Sequence, residues 1–317
     1  MLKDVGIESL WKKVVEMDWR IIILLSFHAF FFFFQALSWW KCIDHNKSKA
    51  KFKDVYLIKA TGWTVAEITP LGAAMGETFK GYLIGRHVEK STVISSLLLY
   101  NTIHTFVTIS MIIIGVIFLF TLIPVTIVTK VIILAVLGVL LFGLFMLVRQ
   151  QHKGFITSII TLLMKFSFLK EKLEAKLPRA REVDEEMRHF WQNKKWDFIL
   201  SYIFQMSAKV VEAFELWVIM QFLNYPISFL HASFLFIITA MIFIVGFFVP
   251  SQIGVVEGGM NRSFSLLGLN PVFGTLMAIF RRIRVVFWIG VGLLIILLKG
   301  AFRKAKRDAE LATKNQA

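Results

Sequence analysis

The sequence predicts an all-α polytopic membrane protein, built as an inverted-topology repeat with two proline-broken re-entrant helical hairpins. Hydrophobic residues make up 57% of the 317 residues and charged residues only 18%, whereas soluble domains carry about 25% charged residues. Several apolar runs exceed the roughly 18 residues that mark a candidate membrane span. Two further apolar regions are interrupted by Pro70 and Pro250, and a glutamate follows each proline after seven residues.

Composition narrows the classes of function. A net charge of +15 would suggest nucleic acid binding in a soluble protein, but in membrane proteins lysine and arginine collect in cytoplasmic loops near anionic headgroups. We therefore expect membrane lipids as partners and no nucleic acid. Cys42 is the only cysteine, which leaves no intrachain disulfide and no thiolate metal cluster. Because no soluble catalytic motif and no histidine cluster occurs, we expect no metal, no cofactor and no enzyme activity.

Five apolar runs predict membrane-spanning helices, at residues 21–43, 91–120, 127–148, 197–223 and 272–298. The whole chain, 1–317, is expected to form a single membrane domain. Its predicted parts are a first repeat at 21–120, a linking helix with a cytoplasmic amphipathic segment at 121–196, a second repeat at 197–298 and a basic cytoplasmic tail at 299–317. The amphipathic part reads "FITSIITLLMKFSFLKEKL", which is typical of a helix on a membrane surface.

The distribution of basic residues predicts the orientation, because lysine and arginine favour the cytoplasmic side. They concentrate in three segments, 41–53, 149–195 and 299–317. The turns 121–126 and 223–226 carry neither residue. We place the three basic segments in the cytoplasm and the two uncharged turns outside. Five spans fit this placement only if each broken region enters and leaves the membrane on the same side. The first hairpin, 55–86, then opens to the cytoplasm and the second, 227–268, to the outside, with an external N-terminus.

The two broken regions also match each other. A shift of 180 residues places Pro70 on Pro250 and Glu77 on Glu257 without a gap. Inverted repeats whose broken helices meet near the midplane are a transporter design. Proline frees backbone groups, and such groups are tolerated in a membrane only beside protein or a water-filled cavity. A helix that starts after the break would direct its N-terminal amides at an anion. The alternative is that both prolines simply kink ordinary helices.

Three arginines in "AIFRRIRVVFW" are predicted to lie inside the membrane. If the last span begins near residue 272, Arg281 lies about 13 Å along it at 1.5 Å per residue. An intramembrane arginine costs at least about 2.5–3.5 kcal/mol unless it is paired or hydrated. We expect one or two of Arg281, Arg282 and Arg284 to bind a phosphate bidentately. Glu257 or Glu77 would neutralise the others. The alternative is a later helix start, with the arginines reaching an interface.

Further polar residues lie in the predicted spans. Lys209, Glu212 and Glu215 form either a proton relay or an internal ion pair, for which Lys209 and Glu212 have the i,i+3 spacing. His104 in "YNTIHTF" is either a proton relay or a hydrogen-bonded packing residue. Lys80, after the first break, is expected to lie near cytoplasmic headgroups.

Two motifs carry a resemblance to a known family. "PLGAAMGETFKGYLI" and "VPSQIGVVEGG", the latter followed by an arginine-bearing helix, resemble the lysylphosphatidylglycerol synthase transmembrane region family, also called the flippase-like domain or UPF0104. The resemblance covers roughly 20–300. It marks eight positions, Pro70, Gly76, Glu77, Lys80, Pro250, Gly254, Glu257 and Arg282. Two departures concern the headgroup preference, since "PSQIG", with Gln252, replaces the usual "PGGLG", and Lys80 stands where arginine is common.

The resemblance implies lipid translocation across a bacterial or archaeal inner membrane, and without the aminoacyltransferase domain of some relatives we expect no lipid aminoacylation. The predicted function is therefore a multi-pass flippase for an anionic phospholipid or a polyprenyl phosphate, with a homo-oligomer left open. The predicted substrate path consists of Glu77, Lys80, Gln252, Gly254, Glu257, Arg281, Arg282 and Arg284. The alternatives are a membrane enzyme that uses the glutamates as general acid and base and a scaffold for a lipid-modifying partner.

Overall fold

The computed structural model describes residues 16–69, 71–122, 124, 126–245 and 254–314, with side chains described there except at 122, 167–169, 243–245 and 300–314. Within these ranges the regular structure is helical, and a short 3-10 turn at His45–Lys47 accompanies the α-helices. The first helices are α1 (Arg20–Cys42), α2 (Phe52–Ile68), α3 (Ala73–Ile84) and α4 (Lys90–Leu122). The middle of the chain forms α5 (Ile127–Lys153), α6 (Phe155–Leu163), α7 (Ser167–Glu174) and α8 (Leu177–Asn193). The last helices are α9 (Lys195–Phe222), α10 (Phe229–Val245), α11 (Val255–Leu266) and α12 (Pro271–Lys314).

This architecture confirms the all-α membrane class. Among the described residues, α1, α4 and α5 are long and apolar enough to cross a membrane. The other two predicted spans, α9 and α12, have 28 and 44 residues, but charged side chains interrupt their apolar character. Helix α12 also continues through residues 299–314, which the sequence predicted as a separate basic tail. Lysine and arginine are good helix formers, so nothing in that composition ends the helix.

The order of helices in the first third of the chain recurs in the last third. Each set has a long helix, two short helices and a second long helix. Helices α3 and α11 both have 12 residues, and each follows a longer apolar helix, α2 or α10. Both α3 and α11 begin directly after a glycine with positive φ, Gly72 at +48° and Gly254 at +84°. Only glycine adopts such angles readily. Pro70 and Pro250 themselves lie outside the described residues.

Helices α1 and α9, which correspond under the shift of 180 residues, pack side by side in opposite directions. Phe27 near the start of α1 contacts Phe214 near the end of α9, with ring centroids 5.8 Å apart. At the other end, the hydroxyls of Ser38 and Ser201 form a hydrogen bond of 2.7 Å. Equivalent helices that run antiparallel are what an inverted repeat requires. The side of the membrane that each hairpin faces stays a prediction.

Each hairpin packs against the last helix of the other set. In α12, a Cβ added at Gly292 would lie 1.9 Å from Oγ1 of Thr64 in α2. In α4, a Cβ added at Gly115 would lie 2.5 Å from Cγ2 of Ile237 in α10. Both crossings therefore depend on a glycine that lets two helices approach closely, as is common between membrane helices.

The segment between the two sets, α5 to α8, lies largely outside this core. Only 6% of the apolar window of α5 is buried, whereas α8 is tied to the rest of the protein by carboxylates. Glu186 accepts hydrogen bonds from Lys47 at 2.8 Å and from Ser95 at 2.6 Å. Asp184 accepts the backbone N–H groups of Ile156 and Thr157 at 2.9 and 2.8 Å. It thereby caps the N-terminus of α6, where a negative charge is favourable.

Candidate functional site

The two arginines Arg282 and Arg284 of α12 form ion pairs with two different helices. Residues two apart on an α-helix point about 200° from one another, so these side chains lie on opposite faces of α12. Arg282 Nε donates to Glu257 Oε1 of α11 at 2.5 Å. Arg284 forms an ion pair with Glu215 of α9, and both side chains are buried. Helix α12 is therefore fixed between the second hairpin and the long helix α9.

Glu257 has two roles, because it caps the N-terminus of α11 and also pairs with Arg282. Its Oε2 accepts the backbone N–H of Gly254 at 2.8 Å, so the carboxylate lies at the positive end of the helix. The sequence predicted that these amides would face a bound anion. In this structure the anion beside the first amide is the Glu257 carboxylate, which links the helix start to the guanidinium of Arg282.

The first hairpin holds its charged pair within itself. Lys80 Nζ donates to Glu77 Oε1 at 2.5 Å, one helical turn apart in α3. Lys80 is only 3% exposed, and its ammonium lies 5.6 Å from the ring centroid of Trp39 and 5.3 Å from that of Tyr100. The expectation that Lys80 lies near headgroups was wrong. Gly62 creates the space, since a Cβ there would lie 2.3 Å from Cγ of Lys80.

A second buried lysine lies beside this pair. Lys59 of α2 is 8% exposed, and its Nζ donates to the hydroxyl of Tyr100 at 2.5 Å. That hydroxyl donates in turn to Oε1 of Gln35 at 2.5 Å. Helices α1, α2 and α4 are thus joined by a chain of polar groups. An ionisable residue within an apolar run is itself a sign of function, and the prediction overlooked Lys59 because the run around it is too short to span.

The polar residues of α9 and the arginines of α12 meet in one cluster. Lys209 Nζ donates to Glu212 Oε2 at 3.1 Å, so the ion pair that the sequence offered as one of two readings is present. Glu215 and Arg284 form the buried pair described above, and Arg281 lines a small cavity of about 20 Å³ together with Glu212, Glu215 and Arg284. We call these five residues the charged centre: Lys209, Glu212, Glu215, Arg281 and Arg284.

Two larger cavities meet at the charged centre. The first, which we call the His28 cavity, has a volume of about 320 Å³ and is lined by His28, Trp63 and Glu67. The second, the His104 cavity, has a volume of about 240 Å³ and is lined by His104 and Lys209. Glu212 and Arg281 line both cavities. These two side chains therefore form the partition between them.

The two cavities are built from corresponding helices. The His28 cavity lies between α2 of the first hairpin and α12, the last helix of the second set. The His104 cavity lies between α10 of the second hairpin and α4, the last helix of the first set. Helix α2 corresponds to α10 and α12 to α4, so each cavity has one wall from a hairpin and one from the last helix of the other set.

Several buried polar atoms of the described residues have no hydrogen-bond partner within the protein. They are Nδ1 and Nε2 of His28, Nδ1 of His104, the amide of Gln205, Oε2 of Glu77 and Nε of Arg284. Buried polar atoms are normally hydrogen-bonded, so those of them that line a cavity are open to a polar ligand. His28 and His104 line the two cavities. Among the described residues no group of three or more metal-ligating side chains occurs.

The family described as the lysylphosphatidylglycerol synthase TM region matches residues 1–293. The chain belongs to this family. A UPF0104 membrane protein of Methanocaldococcus jannaschii is 22% identical over 233 residues, which cover 70% of this chain and 67% of that protein. No solved structure matches the chain.

The site residues marked by the family pattern fall into three groups in the structure. Pro70, Pro250 and Gln252 lie outside the described residues. Glu257 and Arg282 are brought together across two helices, as predicted for a glutamate that neutralises an arginine, with Gly254 beside them. Glu77 does not reach an arginine and pairs with Lys80 instead.

Gly76 has a packing role in the first hairpin, because a Cβ there would lie 2.7 Å from the carbonyl oxygen of Gly62. The sequence prediction missed several polar residues of the site, among them His28, Gln35, Lys59 and Glu67. Lys59 and Glu67 lie in the same apolar run of the first hairpin. The sequence could have identified both residues, since charged side chains within such apolar runs usually face a polar interior surface.

Proposed function

We propose that this protein is a lipid flippase of the inner, cytoplasmic membrane that moves a phosphate-bearing headgroup through the charged centre, without chemical change of the lipid. The observation that supports this most directly is that Glu212 and Arg281 line both cavities. A headgroup that passes from one cavity to the other must pass these two side chains. The substrate is an anionic phospholipid or a polyprenyl phosphate, because the path carries arginines suited to phosphate.

Burial assigns different roles to the arginines. The side chains of Arg284 and Glu215 are 8% and 5% exposed, so this pair holds α12 against α9. The side chains of Arg282 and Glu257 are 40% and 20% exposed, so a ligand can reach them. A phosphate would compete with Glu257 for the guanidinium of Arg282, since guanidinium binds phosphate and carboxylate through the same pairs of N–H groups. Arg281, which lines both cavities, would bind the phosphate as it passes the partition.

Glu212 keeps the partition closed in the absence of substrate. Its carboxylate accepts a hydrogen bond from Lys209 and lies beside Arg281 in the small cavity. A phosphate at Arg281 would replace Glu212 as the local anion and open the partition. The acyl chains would stay in the bilayer while the headgroup crosses, which avoids the cost of a charged group in hydrocarbon.

Purified protein in proteoliposomes tests this proposal. Fluorescent anionic phospholipid, fluorescent phosphatidylcholine and a labelled polyprenyl phosphate are placed in one leaflet, and their arrival in the other is followed. We expect wild-type protein to move at least one of the anionic lipids faster than protein-free liposomes do. Mass spectrometry of the recovered lipids should show no new species. A new lipid product would support the enzyme alternative, and neither movement nor product would support the scaffold.

A further inference from the structure

A groove of about 590 Å³ separates α3 from α4 and lies outside the charged centre. Its size falls within the range of about 300–1,000 Å³ that is typical of ligand sites. The floor is apolar, and its residues include Val93, Ile94, Leu97 and Leu98 of α4. Gly81 and Gly85 form part of the opposite wall, so no large side chain from α3 fills the space.

The contacts between the walls show how the groove runs. A Cβ added at Gly81 would lie 3.4 Å from Leu97, and one added at Gly85 would lie 3.8 Å from Val93. The two helices are therefore antiparallel, so Glu77 is level with Asn101 at one end, and Lys90 lies at the other. Lys90 and Asn101 are about 16 Å apart along α4 at 1.5 Å per residue. This length matches one leaflet, since the hydrocarbon core is about 30 Å thick.

The two ends of the groove differ in charge. Lys90 lies at one end, and Arg179 of α8 also lines the groove; both side chains are exposed. Neither forms an ion pair with a residue that the structure describes. A backbone bridge between Ser48 and Val88 ties this end to the predicted cytoplasmic segment 41–53. The other end reaches Glu77, whose Oε2 is buried without a hydrogen-bond partner.

We infer that this groove binds an anionic phospholipid of the cytoplasmic leaflet, with its phosphate at Lys90 and Arg179 and one acyl chain along Val93–Leu98. Cations at the end that faces the predicted interface complement the phosphate, and the apolar floor takes the chain in the orientation it has in the leaflet. The role of the groove as the waiting position of the substrate rests on the proposed function. From there the headgroup would move along the groove towards Glu77, where Oε2 can accept a hydrogen bond from a headgroup hydroxyl or amine.

Photolabelling in nanodiscs tests the binding. The probe is phosphatidylglycerol with a diazirine in its acyl chain, and peptide mass spectrometry locates the adducts. We expect an excess of adducts at Val93–Leu98 that unlabelled phosphatidylglycerol suppresses and phosphatidylcholine does not. The double variant Lys90→Ala/Arg179→Ala should reduce this excess about tenfold, because two surface cations that attract anionic lipid are removed. The matched double variant Lys49→Ala/Arg86→Ala removes exposed cations that do not line the groove and should leave it unchanged.

A second variant blocks the groove itself. Gly81→Leu places a side chain against Leu97 and should abolish the excess. Adducts spread over the exposed apolar face of α5 with no excess in the groove would overturn the inference. An excess that survives in Lys90→Ala/Arg179→Ala would overturn the assigned phosphate position.

The same samples separate this inference from the proposed function. Glu257→Gln should stop translocation and leave groove labelling intact. If wild-type protein is labelled in the groove but moves no lipid, the lipid site stands and the flippase proposal fails. If lipid moves while the groove is not labelled, the flippase proposal stands and this inference fails.

Discussion

At the scale of single residues, the two ion pairs of α12 illustrate how burial decides the role of a charge. Arg284 and Glu215 are buried, so removal of either partner leaves an uncompensated charge in the interior. Arg282 and Glu257 are partly exposed, so solvent or a ligand can replace a lost partner. The first pair therefore contributes to folding, and the second is open to solvent and to a ligand.

Arg284→Ala is expected to destabilise the protein by about 3–5 kcal/mol, the usual cost of breaking a buried pair. Arg282→Ala should cost no more than about 1 kcal/mol, as for exposed pairs. Thermal unfolding in detergent measures both. The double variant Arg284→Met/Glu215→Met removes both charges and should recover most of the stability. A double variant less stable than Arg284→Ala would contradict the assignment of Glu215 as the partner.

The pair of Lys47 and Glu186, outside the membrane-spanning segments, gives a pH dependence. The hydrogen bond to Glu186 raises the pKa of Lys47 above its ordinary value. A raised pKa in the folded state stabilises the protein below the unfolded value of about 10.4, and this contribution is lost as pH rises through the folded value. Lys47 is largely exposed, so the contribution stays below about 1 kcal/mol.

We therefore expect Lys47→Met to lower the melting temperature slightly at pH 8 and to match wild type above the raised pKa of Lys47. The measurement is the melting temperature of wild type and of Lys47→Met, at pH 8 and at a pH above the raised pKa of Lys47. A difference that grows with pH would show that the hydrogen bond does not favour the charged lysine.

At the scale of helices, the crossings between the two sets depend on small residues at defined positions. Gly292 in α12 contacts Thr64, whereas Gly290, two residues earlier, has no atom within 4 Å of the position of a Cβ. The same helix thus contains one glycine that packing requires and one that it does not.

Gly292→Ala should destabilise the protein by about 1–3 kcal/mol, as overpacked sites do. Gly290→Ala should be neutral or stabilising by up to about 1 kcal/mol, because alanine is the better helix former. Thermal unfolding of the two variants under the same conditions tests this. Equal effects would mean that α2 and α12 do not cross at Gly292.

Most helices could be predicted from the sequence, because apolar runs and breaks mark their positions. The bounds of α2 and α3 follow from the break near Pro70, and the start of α11 follows from the Pro- and Gly-containing stretch before it. The continuation of α12 beyond residue 298 could not be predicted, since the switch from apolar to basic residues resembles the end of a span. The antiparallel contact of α1 with α9 was also beyond the sequence, because it depends on side chains such as Ser38 and Ser201 that carry no long-range signal.

The site could be predicted only in part, because ion pairs near a helix break can be read from the sequence and partners on distant helices cannot. A pairing of Glu257 with an arginine was expected, since both residues flank one broken helix and an intramembrane arginine needs a partner. The prediction offered either Glu257 or Glu77 as the partner of an arginine, and Glu77 pairs instead with Lys80 one turn away. Gln35 and Lys59 were missed since their partner, Tyr100, lies on another helix.

In the molecule as a whole, the proposed transport requires two helix sets of opposite orientation. The ion pair of Lys41 with Asp197, at 3.4 Å, places the end of α1 beside the start of α9. The loops next to these residues must therefore lie on the same side of the membrane. The turn between α4 and α5 should lie on the other side, because α4 leads away from that surface.

Cysteine labelling tests this arrangement, since Cys42 is buried and gives a low background. Asn46→Cys and Trp196→Cys should react with a membrane-impermeant maleimide from the cytoplasmic side only. Thr126→Cys should react only from outside. Labelling of the first two positions from opposite sides would contradict the antiparallel contact of α1 with α9.

The most direct test of the central claim is the translocation rate of a fluorescent anionic phospholipid in proteoliposomes. Arg86 is an exposed cation that lines neither cavity. Wild-type protein and the control variant Arg86→Ala should therefore move the lipid at similar rates. Glu257→Gln and Arg282→Ala should each lose most of this activity while remaining folded. The reason is the proposed role of Arg282 as the phosphate ligand, with Glu257 as its partner when no substrate is bound. If both variants move lipid as fast as wild type, the headgroup does not pass the second hairpin and the account is wrong.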